Sequence, residues 1–235
     1  MRRFSALLTL FLLAALVLSA CSSGNSGPPT SDIVSAIPWQ GNESHDYLLA
    51  DKSGKTLGNE TLAVAVNGAT TTLTQDFKND TGTDVSNVVV DSQTLKPQTA
   101  TRKIVRPDSN VDLQITYTDQ GALIKQDNKQ SGLSVPDHSY DNDSSLFLWR
   151  TIPFAQGYEA SYVTIITNQR SRQTVVLQVT GKETVAVPSG TFDAWRLEIR
   201  TSTARQVAWF TDTPQHVLLK YDNDRGLIFE LSSPP

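Results

Sequence analysis

The strongest constraint on the fold is a two-residue rhythm: short runs in which apolar and polar side chains alternate, cut by turn residues and recurring along most of the chain. Successive side chains of a strand point to opposite faces, so each run describes a strand with one dry and one wet side. Leu62, Val64 and Val66 alternate with Thr61, Ala63 and Ala65, after which Asn67-Gly68 offers the positive-φ pair of a two-residue hairpin and Thr70 to Phe77 returns. Val111, Leu113, Ile115 and Tyr117 share one face of a further strand, with Asp112, Gln114, Thr116 and Thr118 on the other. Strands are expected again over 160–167, 173–180 and 183–187, with hairpins from there to the C-terminus. Turn signals every 8 to 12 residues or so make this an antiparallel all-β domain, a sandwich or barrel.

The rhythm lapses between Asn128 and Ser144, where Asp143 or Ser144 can cap one short helix near 145–151, through Leu146, Phe147, Leu148 and Trp149, with Pro153 ending it. Beyond it, Val187-Pro188-Ser189-Gly190-Thr191-Phe192 reads as a three-residue hairpin loop with Gly190 in the left-handed conformation. Phe192, Trp195, Leu197, Ile199, Val207, Trp209, Val217, Leu219, Tyr221, Leu227, Phe229 and Leu231 then form a stripe expected on the inner face of one continuous curved sheet, with Trp195 and Trp209 mostly buried.

The first twenty residues have the layout of a secretory signal: basic Arg2 and Arg3, an apolar run from Ala6 to Val17 and a small-residue end. That run is shorter than the roughly 20 residues a bilayer-crossing helix needs. Leu18-Ser19-Ala20-Cys21 resembles the lipobox of bacterial lipoproteins, which implies cleavage before Cys21 and a diacylglyceryl group on its sulfur. Two acyl chains suffice for stable anchoring, each buried CH₂ contributing about 0.8 kcal/mol. Cys21 is the only cysteine. Ser22 follows it, so the Asp that marks retention at the inner of two membranes is absent. The Gly/Ser/Pro-rich stretch Ser22 to Thr30 reads as a tether, which places a flexible segment over 21–37 and a single domain over 38–235.

The precursor carries a net charge of −4, and loss of Arg2 and Arg3 makes the mature chain more acidic. No cluster of Lys and Arg suggests nucleic acid or electrostatic adhesion to anionic lipid, so membrane association falls to the acyl chains. Some 200 residues after the tether are enough to bury about 70% of the chain's surface around one core without disulfides or metal.

Sites of chemistry are sparse. His45, His138 and His216 have no metal-ligand spacing between them. The loop holding Asp137, His138, Asp141 and Asp143 offers oxygen ligands, but Asn142 and Leu148 stand where a calcium-binding EF-hand loop needs its Gly and Glu. It reads more simply as a solvated loop whose aspartates close turns and cap the helix. Asp222-Asn223-Asp224-Arg225-Gly226 reads as a hairpin turn, and Arg196, Glu198 and Arg200 as a solvated strand face with cross-strand ion pairs. No nucleophile motif and no phosphate loop stands out, so neither a metal nor a cofactor is expected.

Leu146 to Arg150, Val187 to Phe192, Trp209-Phe210 and Val217 to Tyr221 together resemble a family of exported bacterial proteins of unknown function that share a Val-Pro-Ala/Ser-Gly-Thr-Phe turn. The likeness is clear over residues 140–233 and faint from 43 to 140. It implies a single antiparallel curved sheet, barrel-like or half-barrel, and no catalytic residues. The resulting expectation is a non-catalytic envelope lipoprotein binding a lipid, glycan or protein partner, in a pocket of aromatic and aliphatic side chains. The alternative is a hydrolase whose site gathers dispersed groups, for instance His138 with Asp141 and a further carboxylate.

Overall fold

The computed structural model describes residues 27–127 and 129–235. Strands follow one another as β1 (Glu43–Ala50), β2 (Thr56–Asn67), β3 (Thr70–Asn79), β4 (Gly82–Asp91), β5 (Pro97–Arg106), β6 (Ser109–Thr118), β7 (Gly121–Gln126) and β8 (Lys129–Leu133). After β9 (Ser139–Asp141) comes the helical segment, with α1 (Ser145–Leu148) between two single 3₁₀ turns. Then follow β10 (Glu159–Ile166), β11 (Ser171–Val187), β12 (Gly190–Arg200), β13 (Arg205–Thr211), β14 (Leu218–Asp222) and β15 (Ile228–Leu231). All fifteen strands belong to one curved sheet in the order β8 back to β1, then β15 back to β9, so the pairing of β1 with β15 joins the two halves. Every neighbouring pair is antiparallel except β9 with β10. The all-β, single-sheet expectation holds, with the short helix where the sequence placed it.

The sheet does not close. Its two margins, β8 and β9, are joined by a five-residue connection in sequence but not by a ladder. Side chains tie the margins instead: Arg170, from the β10–β11 turn, donates to Ser131 Oγ (2.9 Å) and Gln126 Oε1 (3.0 Å), and Arg172 donates to the carbonyl of Ser134 (3.0 Å). Inside the curve lies the helical segment, whose Leu146, Phe147, Leu148 and Trp149 are buried against both halves. The Trp149 indole donates to Tyr162 Oη (2.9 Å). Arg150, also buried, pairs with Glu43, donates to the carbonyls of Gln215 (2.9 Å) and His216 (3.1 Å), and lies over the Trp39 ring. The cap is Asp141, which accepts from Asp143 N (2.8 Å), two or three residues before the expected capping positions.

Four local expectations are corrected. The β2–β3 hairpin loop is Gly68-Ala69 rather than Asn67-Gly68, with Gly68 at φ +62 and no positive φ at Ala69, the pattern of a type II′ turn. Val187 pairs with Gly190, so Pro188-Ser189 is a two-residue loop, and Gly190 sits at φ +145, in glycine territory but outside the left-handed helical well. The tether expected through residue 37 ends sooner. Thr30 bridges Ser161, Ser161 Oγ donates to the carbonyl of Pro28 (2.6 Å), Ser35 N donates to the carbonyl of Thr151 (2.9 Å), and Ile33 and Trp39 join the core. This segment covers the β10 edge beyond β9, where bare strand would otherwise invite pairing.

The fourth concerns the C-terminal stripe. Trp195, Leu197 and Ile199 do face inward, as do Tyr221, Phe229 and Leu231. On β13, however, Ala208 and Phe210 pair with Leu197 and Trp195, which turns Val207 and Trp209 outward beside Glu198 and Arg196. Both tryptophans are only partly buried. Leu219 has no partner at the register shift between Trp209 and Phe210, a bulge that leaves Leu218 and Tyr221 both inward.

Candidate functional site

From β2 to β6 the register is unbroken apart from a shift between Val89 and Val90 at one end of the β4–β5 ladder, so directly paired residues form rows across the inner face. One row runs Val64, Leu73, Val88, Ala100, Ile115 and is apolar and buried. The next, Leu62, Gln75, Ser86, Arg102, Leu113, is polar in its middle, and the one beyond it runs Glu60, Phe77, Asp84, Ile104. The inner face thus changes from dry to polar toward the end that holds Glu60 and Arg102. There the curve leaves two adjoining clefts of about 480 and 440 Å³ that share Gln75, Arg102, Asp143, Leu227 and Phe229.

Arg102 is the hub. Its Nε and Nη2 donate to the two oxygens of Asp84 at 2.9 and 2.7 Å, a bidentate pair, and its Nη1 donates to Asp143 at 3.1 Å. Gln75 Nε2 donates to the carbonyl of Asp143, and Tyr117 Oη to Asp141. Strands β3, β5 and β6 therefore clamp the start of the helical segment. Burial pushes Asp141 up to about 7 and also raises Asp143, outweighing the Arg102 guanidinium beside it. Desolvation raises Tyr117 as well, with the Asp141 carboxylate adding to it.

Glu60 differs from these. Its residue is 4% exposed and lines the larger cleft, and among the described residues no hydrogen bond reaches its carboxylate. Burial, reinforced by the charges of Asp84 and Asp76, pushes it up to about 8, so the side chain is largely a neutral acid at pH 7. Leu49, Leu57, Phe77, Leu227 and Phe229 supply apolar wall around it. A third hollow of about 550 Å³, near His45 and the C-terminal Pro235, is bordered by the exposed Asp212, Thr213 and Gln215 and is open to water.

The residues singled out in the sequence fall mostly elsewhere. Cys21 lies outside the described residues. His138, at φ +58, approaches Asp32 (3.2 Å) on the rim. His45 is half-buried with neither ring nitrogen hydrogen-bonded, its Nε2 3.9 Å from Glu43, and His216 packs on Phe154 with ring centroids 4.3 Å apart. Burial lowers the pKa of both. Asp141 caps the helical segment and is fully buried, whereas Asp143, largely but not fully buried, pairs with Arg102 instead of capping; neither is a solvated loop residue. Asp224, at φ +60, sits in the expected hairpin turn. Glu198 is 8% exposed, held by Arg196 and Arg205 at 2.7 Å each, while Arg200 pairs with Glu159 (2.8 Å). This is the outer face, with every arginine paired. Among the described residues no group of three or more His, Cys, Asp or Glu could hold a metal ion, and no helix is long and apolar enough to cross a membrane.

The cleft is not the purely apolar pocket expected of a lipid or glycan binder, since Glu60, Asp84, Asp143 and Arg102 converge in it. None of Glu60, Gln75, Asp84, Ser86 or Arg102 was singled out beforehand. Their signal was present: each falls in phase with the buried apolar residues of its own strand, Glu60 with Leu62 and Val64, Arg102 with Ala100.

The family model described as protein of unknown function (DUF3108) matches residues 46–226. The chain belongs to the DUF3108 family. The match reaches well into the N-terminal half, where the likeness read from single motifs was faint. Among solved structures, this DUF3108 protein is similar to a β-barrel-like protein of the domain of unknown function DUF1849 from Brucella abortus, with 10% identity over 80% of this chain and 94% of that one, at a TM-score of 0.51. The likeness is one of fold. A protein from Bacteroides fragilis with a YmcC-like fold, described as a candidate exported protein, matches with 11% identity over 86% and 98% of the two chains, at a TM-score of 0.30 too low to bear on the argument. No curated protein matches the DUF3108 chain.

Proposed function

We propose that this protein is exported, held at a membrane by a diacylglyceryl group on Cys21, and acts there as a non-catalytic binding protein whose ligand site is the concave cleft beside Glu60. The observation that carries the reading is the unfilled polar end of an otherwise packed interior: a cavity of about 480 Å³ retained next to a buried acid without a partner. Well-packed interiors seldom leave such space without use. Hydrolysis by dispersed groups is less well supported. Asp84 and Asp143 are engaged by Arg102, His138 is placed with Asp32, and among the described residues no Ser or Thr hydroxyl is hydrogen-bonded to a histidine ring.

The docked segment from Pro28 onward bears on the anchor. An extended chain from Cys21 to Gly27 spans at most about 20 Å, so lipid on Cys21 holds the domain close to the headgroups. Cys21→Ser is expected to abolish labelling by a palmitate analogue and release the domain from membranes; persistent labelling contradicts the anchor. For the cleft, the full chain purified from its own membranes is expected to carry a small molecule detectable by native mass spectrometry and shed on unfolding. Ser86→Phe, which places a ring on the cleft-facing row between Gln75 and Arg102, is expected to lose it. A wild-type chain without an adduct, or a folded Ser86→Phe chain that keeps it, contradicts the site.

A further inference from the structure

Accepting the cleft as a ligand site, we propose that it takes a cationic amphiphile, with an ammonium-type headgroup set against Glu60 and an apolar tail along Leu49, Leu57, Phe77, Leu227 and Phe229. The charges around the cleft single out this class. Arg102 already faces two carboxylates: Asp84 takes two of its donors at 2.9 and 2.7 Å, and Asp143 takes a third at 3.1 Å, so its single charge is more than matched. The carboxylate left over is Glu60, 4% exposed and opening only into the cleft, with no donor from the protein. Asp84 on β4 and Asp143 on the helical segment set two negative charges near it against the one cation Arg102 on β5, while Asp76 on β3 is ion-paired with Lys78 (2.8 Å).

An anion entering here meets an excess of carboxylates. Arg106, at the mouth, is exposed, so its charge is screened by water and does not reverse that balance. A neutral hydroxyl satisfies the protonated Glu60 but leaves the surrounding negative field uncompensated. A cation supplies both the missing partner and the missing charge. Its headgroup alone is too small for the site, because five apolar side chains share the wall. An alkyl or aryl body on the ammonium covers them.

The proposal carries a proton signature. Glu60 is largely protonated in the empty cleft at pH 7 and must ionise to pair with the cation. Binding therefore releases a proton.

Hexylammonium, hexan-1-ol and hexanoate test the assignment, titrated by isothermal calorimetry into the lipidated full chain in phosphatidylcholine nanodiscs, with empty nanodiscs as reference. Hexylammonium is expected to bind at least about tenfold more tightly than either analogue and to release close to one proton per ligand, read from buffers of different ionisation enthalpy. Affinity should rise about three- to fourfold per methylene from butyl- to hexylammonium. Glu60→Gln, which keeps the shape of the side chain, is expected to remove the preference for the ammonium and the proton release. Equal or tighter binding of hexanol or hexanoate overturns the ligand class while leaving the cleft a binding site. Unchanged hexylammonium affinity in Glu60→Gln places the cation elsewhere and overturns the proposal. Failure of all three probes to bind overturns both the ligand class and the site.

Discussion

Glu60 is the residue on which stability and binding pull in opposite directions. A carboxyl whose proton affinity is higher in the folded than in the unfolded state makes folding release stability as pH rises. From the ordinary value of 4.5 up to the folded value of about 8, the unfolded chain loses its proton first and gains relative to the native one. The native state is thus penalised most at and above pH 8 and not at all below about pH 4. Glu60→Gln removes the penalty, and is expected to raise stability at pH 7 by on the order of 1 to 3 kcal/mol. At pH 4 it should change little. Urea unfolding at the two pH values checks this; equal effects at both pH values contradict it. Glu198 behaves in the opposite sense. Hydrogen bonds from Arg196 and Arg205 hold its carboxyl below the usual range, so its contribution is present above the ordinary value and is lost as pH falls through the folded one. The two residues together place the stability maximum near the ordinary glutamate value of 4.5.

At the scale of the strand, what could be read in the sequence depended on whether one face or two carried apolar side chains. Strands β2 and β6 alternate cleanly, Leu62 and Val64 against Thr61 and Ala63, Leu113 and Ile115 against Asp112 and Gln114, and their inner faces follow the reading. Strand β13 does not, because Val207 and Trp209 alternate with Ala208 and Phe210, all four apolar. Size alone suggested that the indole goes inside. The pairing of Trp209 with Arg196, and the hydrogen bond from its Nε1 to Glu183, keep it outside, where its ring covers the ion-paired face. Trp209→Ala is accordingly expected to cost about 1 to 2 kcal/mol, and Phe210→Ala, fully buried, about 3 to 5 kcal/mol. Denaturant unfolding of both variants decides the face; a larger loss for Trp209→Ala reverses it. The helical segment was legible as an apolar tetrad after a run of aspartates, whereas its role as a plug clamped by Gln75, Arg102 and Tyr117 was not. Those three residues lie on three separate strands.

For the whole molecule, the decisive property is that fifteen strands curve without closing. Here the helical segment fills one end of the interior, the sheet margins are tied by Arg170 and Arg172, and the polar end stays hollow. Local pattern predicted most strands because alternation is a property of each strand alone; the short helix was signalled by its flanking Asp, Ser and Pro, and the single barrel-like sheet was implied by the family resemblance. The cleft was hidden because it belongs to register: Glu60, Gln75, Asp84 and Arg102 meet only after three successive hairpins align, and each looked like an ordinary polar residue of a polar stretch. The account rests on Glu60 being a buried acid that waits for a cation. A ¹³C NMR titration of the Glu60 carboxyl in the full chain, with and without hexylammonium, tests this directly. A midpoint near 8 in the empty protein, falling by at least one unit with the ammonium bound, is the predicted result. A midpoint near 4.5 that the ammonium does not move would contradict it.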